Sequence, residues 1–274
     1  MSRTRIITGL ILAPTAIVGV LWLPTPWLAL GAAILVLGGL WEWTRLTGLS
    51  DWLPRLSYVS ANGLLMAAIA WAAGPELFAF KAAALLGTLW WLMALVWLWR
   101  FEFAKADRGR YRILKLLAGS LAAVPAWAAL VWLHQLPDFG PRWALFAVML
   151  VWAADTGAYF VGVRLGRHKL APRISPNKSW EGFWGGLAGA GLIALLGFKL
   201  LGLTWGDLPA LLLLTVVAAV MSVAGDLFES LLKRHSGQKD SGRLIPGHGG
   251  MLDRLDSILA ALPVFMVGKL WLGL

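Results

Sequence analysis

Cysteine is absent from the 274-residue chain, which excludes disulfide frameworks, thiolate metal sites and cysteine nucleophiles. Charged residues are also scarce, at 14% of the sequence, which lies outside the usual range of soluble domains. Four common site motifs are missing: the GxxxxGK[ST] phosphate loop, a GxGxxG turn after a strand, the HExxH zinc motif and the GxSxG nucleophile motif. Their absence argues against P-loop, dinucleotide-binding, zinc-protease and serine-hydrolase chemistry.

The chain is instead rich in apolar residues, with 59% hydrophobic residues, 18 tryptophans and a mean hydropathy of +0.73. A helix that crosses the hydrocarbon core needs about 20 predominantly apolar residues. The runs that fit are 6–22, 27–44, 56–73, 77–99, 113–134, 143–163, 183–203, 208–232 and 255–272. No small-residue cleavage site follows the first run, so we predict a retained helix there. The predicted fold class is an all-α polytopic integral membrane protein with about nine transmembrane helices.

The net charge of +10 is distributed unevenly over the predicted connections. If the N-terminus is cytoplasmic, nearly all Lys and Arg residues fall on the cytoplasmic side. The outer connections hold Arg142, while Lys81, Lys199 and Lys269 lie near outer helix ends. This bias follows the positive-inside rule, so we predict a cytoplasmic N-terminus and an external C-terminus. It also favours a membrane role for the positive charge, and no nucleic-acid partner is expected.

The polar segments divide the chain into two parts. Residues 1–134 are predicted to form about five transmembrane helices with a basic cytoplasmic loop at 100–112. Residues 135–274 are predicted to form about four helices with cytoplasmic loops at 164–182 and 233–254. The outer connections are short and leave no room for an external domain. We therefore expect the catalytic region in 135–274, in a cavity that faces the cytoplasm.

Asp155 lies well inside the sixth predicted helix, where an ionisable side chain is costly. It either hydrogen-bonds to a neighbouring helix or faces a wet cavity that is continuous with the cytoplasmic loops. Gly157 and Gly162, on the same helix, would allow another helix to approach closely.

The loop at 164–182 contains the sequence SPNKSWEG. Ser179 is a candidate N-cap for the helix that follows. Ser175 and Lys178, with free backbone N–H groups at the helix start, suit a phosphate ligand. The alternative is a solvated basic loop that only follows the positive-inside rule.

The eighth predicted helix ends in GDLFESLLKR, which places Asp226, Glu229 and Lys233 near one face. Glu229 and Lys233 can also be read as a simple salt bridge at a helix end. Asp253 and Asp256 share a face at the start of the last helix and are predicted to point into the same cytoplasmic mouth as Asp226. Carboxylates beside lysines and arginines suit Mg²⁺ and a polyphosphate. Mutual neutralisation without a metal remains the alternative.

The intervening loop carries the run PGHGG at 246–250, which cannot form a regular helix. Its glycines, including Gly249 and Gly250, permit close approach of a ligand to the backbone. His248 has no second histidine or cysteine at metal-ligand spacing, so a zinc site is not expected. His248 is a candidate phosphate donor, proton acceptor or turn-stabilising residue.

These segments resemble the phosphatidate cytidylyltransferase family, also called CDP-diacylglycerol synthase. The family signature matches Ser230, Lys233, Arg234, Lys239, Asp240, Gly242, Pro246, His248, Gly249, Gly250, Asp253, Arg254 and Asp256. A second family segment matches DTGAYF and SPNKSWEG across Asp155 to Gly182. Asn177 and Ser179 depart from the family pattern there, although Ser179 keeps the hydroxyl group of the expected threonine. The N-terminal half resembles the family in hydropathy alone.

The resemblance implies transfer of a cytidylyl group from CTP to phosphatidic acid, with release of pyrophosphate, at a bacterial inner membrane. It implies in-line attack by the lipid phosphate on the α-phosphorus, assisted by Mg²⁺ and by a monovalent cation such as K⁺, and it suggests a homodimer. Metal ligands on this reading are Asp226, Asp253, Asp256 and Asp155. Catalytic candidates are Asp226, Lys233, Asp253, Asp256 and His248. Substrate-binding candidates are Ser175, Lys178, Ser179, Arg234, Lys239, Asp240, Gly249, Gly250 and Arg254.

The sequence also has to be weighed against other functional classes of membrane protein. A transporter or channel for an anionic or lipid substrate would use the basic mouth for recruitment alone, and a lipid kinase would release a nucleoside diphosphate. A phosphatidyltransferase that consumes CDP-diacylglycerol would carry a DGxxAR motif, which this sequence lacks. A nonenzymatic scaffold would leave the aspartate cluster without an explanation.

Overall fold

The computed structural model describes residues 3–106, 109–242 and 249–274, with side chains from residue 13 onward. Helices dominate this part of the chain. In order they are α1 (Arg3–Trp22), α2 (Thr25–Leu46), α3 (Trp52–Trp71), α4 (Phe78–Trp99), α5 (Gly109–His134), α6 (Gly140–Leu165), α7 (Trp180–Gly197), α8 (Leu208–His235) and α9 (Leu252–Leu272), with a short 3-10 helix at Phe198–Leu201.

Seven helices in the described residues are long and apolar enough to cross a membrane, namely α2, α4, α5, α6, α7 with its 3-10 extension, α8 and α9. The prediction of a polytopic all-α membrane protein is therefore confirmed, while the count of nine spans is not. In α1, the described apolar stretch Ala13–Trp22 is shorter than a span. Arg55, Ser57 and Asn62 interrupt the apolar sequence of α3.

The loop at 164–182 contains a small β-hairpin, which the all-α prediction did not include. Strand β1 (Lys169–Ala171) pairs antiparallel with β2 (Ser175–Ser179), and Lys169 lies opposite Ser179. Strands of three and five residues are too short to show the alternating pattern that identifies a strand in a sequence. The hairpin leads directly into α7 and thereby fixes the start of that helix.

Close packing of α6 on α7 depends on glycine, as predicted for Gly157 and Gly162. A side chain at Gly157 would meet the carbonyl oxygen of Gly185 on α7, and one at Gly162 would lie 3.5 Å from the Cα atom of Gly182. The two backbones therefore run nearly in contact, which sets the position of Asp155 relative to the hairpin.

An aromatic cage fixes the rotation of α8. Phe228 is fully buried, and four tryptophan rings surround it with centroid distances of 5.3 to 6.2 Å. The four are Trp43, Trp90, Trp91 and Trp97. Because they belong to α2 and α4, the N-terminal half of the chain determines which way the neighbouring Asp226 and Glu229 point.

The described parts of the three segments predicted to be cytoplasmic loops contact one another. Arg173 in the hairpin forms an ion pair with Glu102 at 2.6 Å, and the Nε2–H group of His235 donates to the carbonyl oxygen of Phe101 at 2.7 Å. A hydrogen bond from Lys105, with support from Arg173, holds the pKa of the exposed Glu102 carboxyl below its usual range. These contacts join the ends of loops 100–112, 164–182 and 233–254.

Candidate active site

A cavity of about 600 Å³ opens between α6, the hairpin, the start of α7 and α8. Its polar lining includes Asp155, Lys169, Ser175, Asn177, Lys178, Ser179 and Asp226. Its apolar lining includes Tyr159, Val163, Phe183 and Val223. Asp155 lines this cavity, as the cavity alternative requires, and its hydrogen bond with Ser257 on α9 is of the kind that the neighbouring-helix alternative requires. A space with both linings suits a molecule that has a charged head and an apolar body.

An ion pair in this cavity joins two of the predicted site segments. The Lys178 ammonium lies 2.5 Å from Asp226 Oδ2, with both side chains partly exposed. Asp155 is close enough to interact electrostatically with both, and it accepts a hydrogen bond from Ser257 on α9. The structure thus brings Asp155, Lys178 and Asp226 together from α6, β2 and α8.

A second, more buried ion cluster lies at the junction of α8 and α9. Lys233 Nζ is 2.9 Å from Glu229 Oε2 and 2.8 Å from Asp253 Oδ1. The helix-end salt bridge considered for Glu229 and Lys233 is therefore present, and Asp253 extends it to the next helix. Asp253 Oδ2 accepts hydrogen bonds from the backbone N–H groups of Ser241 at 3.3 Å and Gly250 at 3.0 Å. Asp253 consequently holds the loop as well as the lysine.

Asp256 connects the two ion clusters. Its carboxyl group contacts that of Glu229 and interacts electrostatically with Asp226. One oxygen of Glu229, Oε1, is buried and has no hydrogen-bond donor. Gly225 permits this arrangement, because a side chain there would collide with the backbone carbonyl of Asp256.

The acidic side chains outnumber the lysines in these clusters. The two clusters contain five carboxylates and two lysine ammonium groups. The carboxylates belong to Asp155, Asp226, Glu229, Asp253 and Asp256, and the ammonium groups belong to Lys178 and Lys233. Excess negative charge and a buried carboxylate oxygen without a donor fit a cation with oxygen ligands. Among the described residues, no three acidic or histidine side chains already converge on one metal position. These carboxylate oxygens are ligands of the kind that a divalent ion prefers. Lys178 and Lys233 form ion pairs with some of them.

The hairpin residues have distinct roles. Ser179 Oγ accepts a hydrogen bond from the Gly182 N–H group at 3.1 Å, which confirms the predicted N-cap. Ser175 and Lys178 both line the cavity, and Lys178 is paired there with Asp226. Arg234 lies at the end of α8, and its Nε–H group donates to the carbonyl oxygen of Ile174 at 3.1 Å.

Lys239 and Asp240 lie apart from the main cavity. They line a second cavity of about 390 Å³ together with Arg45, Gln238 and Gly242. Arg254 is exposed at the first turn of α9. Gly249 has a positive φ of 87°, a conformation that glycine adopts without strain. His248 lies outside the described residues.

The site also involves Glu42 of α2, which the sequence analysis did not place in it. Glu42 is 2% exposed, and its Oε2 atom accepts hydrogen bonds from Ser241 Oγ at 3.2 Å and from the Leu252 N–H group at 2.9 Å. The cost of a carboxylate inside an apolar helix was the available signal for this residue. Its partners could not be read from the sequence because they lie about 200 residues away.

The chain is similar to known proteins over nearly its whole length. A model described as the cytidylyltransferase family matches residues 3–270. A phosphatidate cytidylyltransferase of Pseudomonas aeruginosa is 42% identical over 273 residues, which cover 99% of this chain and 97% of the relative. One of Haemophilus influenzae is 36% identical over 283 residues and 97% of both chains. One of Bacillus subtilis is 46% identical over 135 residues, 48% of each chain.

Proposed function

Because the chain belongs to the cytidylyltransferase family, we propose that it transfers a cytidylyl group from CTP to phosphatidic acid, giving CDP-diacylglycerol and pyrophosphate. Near full-length similarity to two phosphatidate cytidylyltransferases supports these substrates. The structural observation that carries the proposal is the cavity at which Asp155, Lys178 and Asp226 meet among apolar helices. A nucleotidyltransferase that acts on a membrane lipid needs a charged site of this kind within a hydrophobic protein.

The cavity lining suits phosphatidic acid in particular. Lys169, Ser175 and Lys178 supply donors and positive charge for phosphate oxygens, while Tyr159 and Phe183 supply apolar surface for acyl chains. In the structure Lys178 is paired with Asp226. A substrate phosphate would compete with that carboxylate for the ammonium group, so substrate binding would release Asp226 from its ion pair with Lys178.

The reaction needs no protein nucleophile. A phosphate oxygen of phosphatidic acid forms a bond to the α-phosphorus of CTP, and the bond to the β-phosphate bridge breaks with release of pyrophosphate. The role of the residues is to position the two phosphates in line and to neutralise their charge. Mg²⁺, when bound, would neutralise phosphate oxygens and the leaving group. Asp155, Asp226 and Asp256 would hold it, with Asp253 as a further candidate.

We also propose a cytoplasmic orientation for the site and a location in the bacterial inner membrane. Contacts between the three basic polar segments support one common side for them, and the positive-inside rule makes that side cytoplasmic. CTP is a cytoplasmic nucleotide, so this orientation gives the site access to its substrate. The second, monovalent cation and the homodimer implied by the family resemblance remain predictions.

Pyrophosphate release by the purified protein in detergent tests this function. The assay contains CTP, Mg²⁺ and phosphatidic acid, each omitted in turn. Release that requires all three components is expected, together with a loss of about 100-fold or more in Asp155→Asn, since Asp155 interacts electrostatically with both Lys178 and Asp226 in the cavity. Asp207→Asn is the control, because this exposed carboxylate accepts hydrogen bonds from Thr204 in a connection between helices.

Two results would contradict the proposal. Release of CDP in place of pyrophosphate would indicate a lipid kinase. If folded, lipid-binding protein releases neither product, cytidylyl transfer is excluded, and movement of phosphatidic acid between liposome leaflets then tests the transporter alternative.

A further inference from the structure

Glu42 holds both sides of the glycine-rich loop that precedes α9. Its Oε2 atom accepts a hydrogen bond from Ser241 Oγ on one side of the loop and from the Leu252 N–H group on the other. Glu42 and Ser241 are almost completely buried, at 2% and 0% exposure. Such a carboxylate is retained in an apolar helix only if its hydrogen bonds offset the cost of burial. The donors come from the loop, so the loop and α2 are held together by this side chain.

Two glycines that flank the loop, Gly242 and Gly250, fit closely around the same carboxylate. A side chain at Gly242 would collide with the carboxyl group of Glu42, and one at Gly250 would lie 2.6 Å from Glu42 Oε2. These separations are too short for any residue with a Cβ atom unless its neighbours shift. Gly242 and Gly250 are therefore needed for contact with Glu42, in addition to any contact with a ligand.

A second carboxylate holds the same loop residues from the other side. Asp253 Oδ2 accepts from the N–H groups of Ser241 and Gly250, and Asp253 Oδ1 binds Lys233 at 2.8 Å. Ser241 is thus hydrogen-bonded to Glu42 through its side chain and to Asp253 through its backbone. Any shift of the loop away from Glu42 would move Asp253 and, through it, Lys233.

We propose that Glu42 is a positioning residue for the active site: it fixes the loop residues that orient Asp253 and Lys233, so that a helix of the N-terminal half sets the geometry of the C-terminal ion cluster. Glu42 is not among the residues that line the main cavity. The inference rests on the proposed cytidylyl transfer for its activity readout, and on hydrogen exchange for a readout that is independent of that function.

The test compares Glu42→Ala and Glu42→Gln with the wild-type protein in detergent. Glu42→Ala removes the acceptor, so the amides of Ser241, Gly250 and Leu252 should exchange faster, and kcat should fall about 10- to 100-fold because the reacting groups are misplaced. KM for CTP should change less than kcat. Glu42→Gln keeps an acceptor oxygen and should restore both exchange protection and much of kcat.

Trp127→Phe is the matched control. Trp127 is buried and its Nε1–H group donates to the carbonyl oxygen of Ala29 on α2 at 2.9 Å, so its loss destabilises the packing of α2 without touching the loop. Should Glu42→Ala not accumulate as folded protein, Ser241→Ala removes the same hydrogen bond from the loop side and carries the same two measurements.

The outcomes separate this proposal from the proposed function. Faster loop exchange with reduced kcat in Glu42→Ala, and neither in Trp127→Phe, supports positioning. Unchanged loop exchange and unchanged kcat per folded molecule would overturn it and leave Glu42 as a packing residue. If the wild-type protein shows no cytidylyl transfer, the proposed function fails, and the exchange result alone decides whether Glu42 holds the loop.

Discussion

Removal of the Lys233 ammonium is the substitution whose effect the structure determines most directly. Lys233 Nζ lies between Glu229 Oε2 and Asp253 Oδ1, at 2.9 and 2.8 Å. The side chains are 13%, 2% and 17% exposed respectively, so solvent screens them little. Lys233→Met keeps the length of the side chain and removes its charge. Two neighbouring carboxylates would then remain in a mostly buried site without a counter-charge.

The expected loss of stability follows from the geometry. Removing one member of a buried ion pair costs about 3–5 kcal/mol, since the remaining charge stays unpaired. For a chain of this size a loss of 1 kcal/mol lowers Tm by about 2–4 °C, so the expected decrease is on the order of 10 °C. Protonation of one carboxylate in the variant would reduce this decrease at acidic pH. Activity should fall together with stability, because Asp253, which holds the loop, also loses its contact with Lys233.

Thermal unfolding in detergent, followed by intrinsic tryptophan fluorescence, measures the effect, and pyrophosphate release at 20 °C below the lower Tm measures activity of folded protein. Lys105→Met is the matched control. Lys105 pairs with Glu102 at 3.2 Å, but these side chains are 50% and 60% exposed, so solvent screens the pair and it contributes little to stability. Its Tm should therefore change by a few degrees at most.

The reasoning is refuted if Lys233→Met unfolds at the wild-type temperature at neutral pH. That result would mean that the two carboxylates do not need the lysine, and that the cluster is not held together by charge. A Lys233→Arg variant that is less stable than Lys233→Met would point to steric fit as the controlling factor.

Two further predictions concern the hairpin and the helix contact beside it. Ser179→Ala removes the N-cap of α7 and should destabilise the protein by about 1 kcal/mol, whereas Ser179→Thr keeps the hydroxyl group and should be close to neutral. Thermal unfolding of both variants measures the effect. If Ser179 contacted a substrate instead, Ser179→Ala would change KM. Gly185→Val places a side chain against Val161 and the carbonyl oxygen of Gly157. The helices α6 and α7 must then separate, which should destabilise the protein by about 1–3 kcal/mol or more. Thermal unfolding measures this loss, and an unchanged Tm would show that the two helices are not in close contact.

Features that depend on one helix could be predicted from the sequence. The apolar runs gave the positions of the helices, since about 20 apolar residues are required for a span. The spacing of Glu229 and Lys233 placed them on one face, and they do form an ion pair. Ser179 was recognised as an N-cap from its position before a helix, and its hydrogen bond confirms this.

Features that depend on contacts between distant segments could not be predicted. Ser241 and Leu252 are 199 and 210 residues away from Glu42, and no local pattern indicates that they meet. The pairing of Lys178 with Asp226 joins a hairpin to a helix that follows much later in the chain. The assignment of Lys239 and Asp240 to the substrate site rests on the family signature, while the structure places them in a separate cavity beside Arg45.

The contacts that cross between the two halves of the chain bear on what the N-terminal helices do. A membrane anchor would need apolar surface toward lipid and no specific contact with the site. Here α2 contributes Trp43 to the cage around Phe228 and Glu42 to the loop before α9, so it contacts α8 immediately beside Asp226 and the loop immediately before Asp253. The two helices that carry the candidate site residues Asp226 and Asp253 are thus contacted by the same N-terminal helix. The N-terminal half therefore helps to shape the candidate site, and the family model covers it as well, since the match spans residues 3–270.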